Sequence, residues 1–186
     1  MGRNYFTTLS WFRLLVACAA LVLCSQSQAC VAKGCARNLW ELGASISGVP
    51  AILVYGIAVQ ESGVGAGKKR RPHPWTLNSA AGPMYFSSRA AAEIALVELL
   101  KKYTNVDIGT MQVNWGANGR YFVDDARELL DPKVNIIVAA LVLKDAVAAS
   151  NGNLDAGIGR YHRWKLNDEA RNYASKVFRN AGQGVR

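Results

Sequence analysis

Apolar residues recur at helical spacing over most of the chain beyond residue 36, with breaks at Gly, Pro and Asn. The first two predicted helices are separated by Gly48-Val49, and the second begins at Pro50, where a missing N–H costs nothing. Typical N-cap residues precede the later helices: Ser87 or Ser88, Asp131, and Asn167 or Asp168. The predicted helices span residues 37–47, 50–62, 88–103, 132–149, 154–161 and 168–180.

The segments between these helices contain little regular patterning. Residues 64–86 form a long loop rich in Gly, Pro and basic residues, and DIGTMQVNW at 107–115 is short and irregular. Two apolar stripes are expected to face the core: Ile94, Val97 and Leu100 in one helix, and Val134, Ile137 and Leu141 in another. The sequence therefore predicts a mainly α single domain with at most a small β-ribbon near residues 74–86.

The first 29 residues have the pattern of a secretory signal peptide. Basic residues precede the apolar run Leu14–Leu23, and Ser27 and Ala29 fit the small positions of a cleavage site after Ala29. The apolar run is short for a transmembrane span, although an uncleaved anchor stays open as an alternative. We expect residues 1–29 to be removed, residues 30–186 to form the domain, and the product to be periplasmic or secreted rather than a stable membrane protein.

The chain is basic, with a formal net charge of +9 that falls to +7 when residues 1–29 leave. A basic balance fits either a solvated surface or attraction to an anionic polymer such as an envelope component. The densest run, Lys68-Lys69-Arg70-Arg71, lies between glycines and prolines and is predicted to be a loop. Because this run lacks interleaved aromatic residues and the chain is predicted to be exported, we expect no nucleic-acid partner.

Two cysteines remain in the predicted mature chain, Cys30 and Cys35, in a compartment where disulfides persist. They can pair across a small loop or stay free, and the sequence does not decide between these. With two distant histidines, His73 and His162, they do not have the spacing of a zinc site. We therefore predict no metal and no cofactor.

Glu61 follows the apolar run of YGIAVQESG and precedes a glycine-rich break. A carboxyl at the end of a buried helix can open into a cleft, where desolvation raises its pKa and suits it to general-acid catalysis. The alternative, without a catalytic role, is that Glu61 is a helix-end carboxylate that points into water. Uncharged groups that suit a sugar occur elsewhere in the chain, namely Asn78, Gln112, Asn114 and Tyr161, with Trp75 and Trp115 as flat faces.

Most glycosidases use a second carboxylate, as nucleophile or to activate water. Asp107, Asp124 and Asp125 are the candidates here, and none stands in a comparable apolar setting. Asp107 could instead cap the turn that begins at Ile108-Gly109. An enzyme with one carboxylate needs the substrate to supply the second group, as an N-acetyl sugar can.

Three motifs with a characteristic order and spacing carry a resemblance to a known family. They are Glu61-Ser62, Gly109-Thr110-Met111-Gln112-Val113-Asn114 and Arg160-Tyr161-His162. Together they resemble the motifs of the goose-lysozyme-like soluble lytic transglycosylases, over residues 37–180. The HPWTLN insert and the Ser-Ala-rich helix after it resemble exported members that accompany conjugation and type IV secretion systems.

The resemblance implies a lysozyme-like helical fold and cleavage of the β-1,4 bond between N-acetylmuramic acid and N-acetylglucosamine, with a 1,6-anhydro product. Glu61 would be the single acid and then base, and Tyr161 would hydrogen-bond and orient its carboxyl. Ser62, which stands beside Glu61, is expected to support it. Further residues are expected to line the cleft and bind sugar: Ser62, Met111, Gln112 and Asn114, with Asn78 and Trp75. The implied partners are peptidoglycan glycan strands and components of a secretion or conjugation apparatus.

Two departures from the family pattern qualify these expectations. Thr110 stands where Leu is usual, and His162 stands for the usual Asn, followed by Arg163-Trp164 in place of small residues. His162 could support a neighbouring residue, and Trp75 could simply pack its loop. Two other functions stay open at this stage: a hydrolytic muramidase assisted by Asp124 or Asp125, and a peptidoglycan-binding scaffold without turnover.

Overall fold

The computed structural model describes residues 39–183, which belong to one compact unit of the chain. The predicted signal peptide and the Cys30 and Cys35 pair lie outside these residues. Within them, the chain is mainly helical with a small antiparallel sheet. The six helices are α1 Leu39–Ser47, α2 Ala51–Ser62, α3 Arg89–Leu100, α4 Pro132–Ala148, α5 Leu154–His162 and α6 Asp168–Gln183. Short 3₁₀ turns occupy Gly67–Lys69, Gly119–Tyr121 and Ala126–Leu130.

The helix boundaries follow the predicted capping residues closely. Pro50 precedes α2, and the Ser88 side chain accepts a hydrogen bond from the Ala91 N–H at the start of α3. Asp131 accepts from the amides of the first turn of α4, with Pro132 at its first position. The Asn167 side chain accepts from Ala170 N–H at the start of α6. Local polar chemistry therefore predicts where these helices begin.

The sheet is larger than the predicted ribbon. Its four strands are β1 Thr76–Ser79, β2 Gly82–Tyr85, β3 Asp107–Ile108 and β4 Val113–Asn114, in the order β2-β1-β3-β4. The β1–β2 hairpin lies within the predicted ribbon region. The segment predicted to be irregular forms a second hairpin, in which Ile108 pairs with Val113, and β3 pairs with β1. Two-residue strands are too short for an alternating pattern to reveal them.

The predicted stripe of α3 is wrong at Ile94 and Val97, while Leu100 is partly buried against the core. Ala92 and Leu96 are fully buried, whereas Ile94 is 72% exposed and Val97 is also exposed. Positions 92 and 96 are four residues apart and lie on one face, which packs on β1 and on the 3₁₀ turn Ala126–Leu130. The small Ala92 allows the close approach, and a pattern based on large apolar residues alone overlooks it.

Helix α4 is buried on more than one side. It packs against α1 and α5, while α2 packs on α6 and α5 on α6. Its most buried apolar residues include Ile136, Ala140 and Leu143. The predicted residues Val134, Ile137 and Leu141 are only partly buried. A helix that contacts neighbours on several sides has no single apolar stripe to identify.

Among residues 39–183, no single helix is long and apolar enough to cross a membrane. The pair α1 and α2, bent by 109° at the intervening turn, reaches the required length and composition only when both helices are counted together.

Candidate active site

Glu61 lies in the last turn of α2, where it borders a cleft of about 760 Å³. The helix ends because Gly63 turns to an extended conformation, with its N–H donating to Val59 O. A Cβ on Gly63 would lie 2.2 Å from Val59 O, so only glycine fits there. The helix before Glu61 is almost entirely buried, and Glu61 itself is half-buried at the cleft wall. The carboxyl is therefore both desolvated and accessible to a ligand.

This setting raises the pKa of Glu61 from 4.5 to about 7. Burial, which disfavours the charged form, is the main cause. The Tyr173 hydroxyl donates to Glu61 Oε1 at 2.5 Å and opposes the rise in pKa, while the negative charge of Asp107 adds to it. Near neutral pH, a substantial fraction of Glu61 thus holds a proton.

Tyr173 comes from α6, and its side chain is 5% exposed. Its ring stacks on the His162 ring, with centroids 4.4 Å apart and planes 3° from parallel. His162 Nε2 in turn lies 3.6 Å from Glu169 Oε1. Burial and the nearby Glu61 carboxylate raise the pKa of the Tyr173 hydroxyl well above its usual value, so it stays a donor. Sequence reasoning missed Tyr173, which stands among the alternating polar and apolar positions of an ordinary amphipathic helix.

Tyr161 does not make the predicted bond to Glu61. Its hydroxyl donates to the backbone carbonyl of Met111 at 2.8 Å, although its side chain does border the cleft near Glu61. The bond joins α5 to the turn between β3 and β4. Tyr161 therefore holds the position of that turn, and Tyr173 makes the hydrogen bond to Glu61 that the family resemblance implies for Tyr161.

The turn between β3 and β4 is built around Gly109 and a buried asparagine, Asn135. Gly109 has φ +79°, and a Cβ there would lie 2.5 Å from Leu129 O and 2.6 Å from Asn135 Nδ2. Asn135 Oδ1 accepts from Met111 N–H at 2.7 Å, and its Nδ2 donates to Ile108 O and to Leu129 O. Its side chain is fully buried with these bonds made. Asn135 stands among apolar residues of α4, and no pattern in the sequence marks its role.

Polar side chains from this turn and the sheet form one wall of the cleft. Gln112, held at φ +49°, donates from Nε2 to Gly109 O and Thr76 O. Asp107 accepts from Asn114 Nδ2 at 2.8 Å and from Asn78 Nδ2 at 3.0 Å. Gln112, Asn114 and Asn78 all border the cleft, as predicted, and Asp107 joins them. Asp107 thus lies in a strand with its carboxylate bound by two amides and does not cap the turn.

Four predicted ligand residues do not border the cleft, and one of them, Trp115, is partly buried against the core. Ser62 is fully buried, and its hydroxyl donates to Thr110 O at 2.7 Å while accepting from His73 N–H. The Met111 side chain is also fully buried and belongs to the core. Trp75 is half-buried, packs on the core and meets the His73 ring edge to face. Ser62 consequently joins α2 to the β3–β4 turn, and Trp75 packs its loop.

The other candidate carboxylates are outside the cleft. Asp125 caps the 3₁₀ turn Ala126–Leu130 and pairs with Arg127, which lowers the pKa of Asp125 to about 2. Asp124 is exposed and does not border the cleft. Neither can assist water at Glu61 in this arrangement.

The basic run is folded into a tight turn away from the cleft. Val64 and Arg71 pair through their backbones, and Arg70 Nε donates to Gly63 O at 3.0 Å. Arg71 donates to the carbonyls of Lys68 and Arg70. No three His, Cys, Asp or Glu side chains within residues 39–183 are grouped to bind a metal ion.

Exposed aromatic side chains stand around the cleft. Tyr85 is 51% exposed, Phe122 44% and Trp164 60%, and all three border it. Such flat apolar faces next to amide groups suit a ligand with both apolar ring faces and polar rims. Trp164 stands two residues after the third motif, whereas no motif of the sequence links Tyr85 or Phe122 to the cleft.

The arrangement supplies one carboxyl protonated near neutral pH, amide donors and acceptors, and aromatic faces in a single groove. That combination can transfer a proton to and from a bound polar ligand. No protein-family model, no curated protein and no solved structure matches the chain at a significant level.

Proposed function

We propose that this chain is an exported lytic transglycosylase that cleaves the β-1,4 bond between N-acetylmuramic acid and N-acetylglucosamine in peptidoglycan. The observation that carries the proposal is the half-buried Glu61 carboxyl in the cleft, with its pKa raised to about 7. The order and spacing of the three motifs support the same activity and a lysozyme-like fold for the helices. The basic charge suits an anionic wall polymer.

In the proposed reaction, protonated Glu61 donates its proton to the glycosidic oxygen as the bond to the anomeric carbon breaks. The substrate's N-acetyl group assists at that carbon, as in enzymes that lack a second carboxylate. The Glu61 carboxylate then takes the proton of the C6 hydroxyl, whose oxygen attacks the anomeric carbon and closes the 1,6-anhydro ring. The proton balance closes on Glu61, and no water enters the products.

In this proposal, other residues of the cleft bind the sugars or orient the Glu61 carboxyl. Gln112, Asn114 and Asn78 would hydrogen-bond the acetamido sugars, and Tyr173 would orient the Glu61 carboxyl. Buried polar groups left unpaired by a wrong sugar are costly, which favours N-acetylated substrates. Asp107 accepts hydrogen bonds from Asn78 and Asn114, and its negative charge adds to the rise in the pKa of Glu61 that burial mainly causes. We further propose periplasmic or secreted action on the wall, in the service of a conjugation or secretion apparatus.

The test is product analysis of purified peptidoglycan sacculi by mass spectrometry. Wild type should release 1,6-anhydro ends, and Glu61→Gln should release none above background, because the amide cannot donate and retrieve a proton. Glu98→Gln is the matched control, since Glu98 is an exposed residue of α3 paired with Lys101. Reducing ends in place of anhydro ends would show a muramidase. No release of ends above background by either wild type or Glu61→Gln would leave only a binding protein, and equal release above background by both would show that Glu61 is not the acid.

A further inference from the structure

Arg160 is placed in the cleft by two fixed contacts. Its Nε donates to Ser150 Oγ at 3.0 Å, and its Nη1 donates to the backbone carbonyl of Trp164 at 2.7 Å. The guanidinium carbon lies 5.7 Å from the centroid of the Trp164 ring. Arg160 is half-buried at the end of α5, directly before Tyr161. These contacts hold the guanidinium at the cleft wall, so little side-chain freedom is left to lose on binding a ligand.

This guanidinium has no counter-ion among residues 39–183. No Asp or Glu oxygen of that region lies within 4.0 Å of its nitrogens, and its Nη2 has no hydrogen-bond partner there. The other ionisable groups that border the cleft are three carboxyls, one imidazole and two phenols: Glu61, Asp107, Asp145, His162, Tyr85 and Tyr161. Arg160 is thus the one Lys or Arg side chain among the described residues that border the cleft.

We propose that Arg160 binds a carboxylate of the glycan substrate, and that the cleft therefore selects acidic glycans over neutral chitin-like ones. This inference rests on the proposed function. A guanidinium presents a planar set of donors that matches a carboxylate, and charge-assisted bonds of this kind are stronger than neutral ones. Two carboxylates of peptidoglycan share this chemistry: the lactyl group of a peptide-free muramic acid and the acidic groups of a stem peptide.

Binding experiments on the intact chain carrying Glu61→Gln, which prevents turnover, separate these cases. Isothermal titration calorimetry would use N-acetylglucosamine–N-acetylmuramic acid oligosaccharides in three forms. One form has free lactyl carboxylates, one has those carboxylates methyl-esterified, and one bears stem peptides. Adding Arg160→Gln should weaken binding of a carboxylate-bearing form about tenfold, as expected for loss of one charge-assisted contact, and leave the ester unaffected. The form that responds identifies the carboxylate.

Two further variants make the outcome decisive. Arg160→Lys keeps the charge without the planar donors and should lie between Arg160 and Arg160→Gln in affinity. Arg171→Gln is the matched control on α6, where Arg171 is exposed and paired with Asp168. Equal weakening of the ester and of the carboxylate-bearing forms by Arg160→Gln, or no weakening of any of the three forms, would overturn the inference while leaving the proposed function intact. No binding of any form, together with absence of anhydro product from wild type, would overturn both.

Discussion

At the scale of single residues, burial and the hydrogen bond from Tyr173 shift the pKa of Glu61 in opposite directions. Burial keeps the proton on Glu61, while the Tyr173 hydroxyl favours the carboxylate. A group that first donates a proton and then accepts one works best with a pKa close to the working pH. Neither the donation nor the acceptance of the proton then has a large free-energy cost. Tyr173 adjusts this balance from a helix remote in sequence.

Tyr173→Phe should move the alkaline limb of the pH–rate profile to higher pH. Without the hydroxyl, the carboxylate loses a stabilising bond, so the pKa of Glu61 rises and the acid stays protonated further into the alkaline range. The rate at neutral pH should fall several-fold, because the carboxyl is less well oriented. The measurement is initial rate of anhydro-product release between pH 5 and 9.

Tyr161→Phe is the matched control for that profile. The Tyr161 hydroxyl bonds to Met111 O and not to Glu61, so the variant should lower the rate without displacing the alkaline limb. A displaced limb in Tyr161→Phe and an unchanged one in Tyr173→Phe would reverse the roles assigned to the two tyrosines.

Thr110→Val should stabilise the protein by about 1 kcal/mol. Thr110 Oγ1 is the one buried side-chain polar atom without a hydrogen-bond partner among the described residues. Replacing the hydroxyl by a methyl removes an unsatisfied group at nearly constant volume. Thr76→Val is the control, since Thr76 Oγ1 donates to His73 O, and it should destabilise instead. Urea unfolding measures both, and a loss of stability in Thr110→Val would contradict the expectation.

At the scale of elements, the β3–β4 turn is fixed by contacts from several directions. Asn135 of α4 bonds to both of its sides, the Ser62 hydroxyl of α2 donates to Thr110 O, and the Tyr161 hydroxyl of α5 donates to Met111 O. The amide of Gln112 is positioned by this turn. The geometry of the cleft wall consequently depends on residues that never meet the ligand.

Gly109→Ala should cost more stability than Gly152→Ala, although both glycines have nearly the same positive φ of +79° and +78°. At Gly152 nothing lies within 4 Å of an added Cβ, so only the backbone penalty of about 1 kcal/mol applies. At Gly109 the Cβ would meet Leu129 O and Asn135 Nδ2 at 2.5 and 2.6 Å, and the turn must shift. The loss should exceed about 2 kcal/mol and reduce activity as well. Equal losses in the free energy of unfolding, measured with a chemical denaturant, would show that the β3–β4 turn shifts to accommodate the Cβ at little cost.

The elements differ in how far the sequence predicts them. Helix starts at Ser88, Asp131 and Asn167 follow from local chemistry, because a polar side chain satisfies amides a few residues away. The buried face of α3 and the pairing of β3 with β4 depend on what packs against them. The site divides in the same way: Glu61 and Gln112 are identifiable from their motifs, whereas Tyr173 and Asn135 act across long sequence separations and have no local signature.

At the scale of the whole molecule, Glu61 links folding to pH. Its pKa is 4.5 in the unfolded chain and about 7 in the folded one, so the unfolded state loses its proton first as pH rises. Below pH 4 both states hold the proton and Glu61 has no effect on stability. Between about pH 4.5 and 7 its contribution becomes unfavourable, up to about 3 kcal/mol above pH 7.

Glu61→Gln should therefore stabilise the fold at pH 8 and leave it unchanged at pH 4. The amide is nearly isosteric and cannot ionise, so it removes the cost of holding a charge in a desolvated place. The gain at pH 8 should approach, and not exceed, about 3 kcal/mol. Thermal or urea unfolding of both proteins at the two pH values gives the measurement. A variant less stable than wild type at pH 8 would show that the carboxylate is well solvated.

The Tyr173–Glu61 bond spans 112 positions of the chain, from the second described helix to the last. Ribosomes make α2 long before α6, so a nascent or truncated polypeptide that ends before residue 173 contains the glutamate without the partner that orients it. Such fragments would carry a carboxyl of unremarkable acidity. Under the proposed function, proton transfer by Glu61 would therefore await the synthesis of α6, and partial chains could not cleave the wall of the cell that makes them.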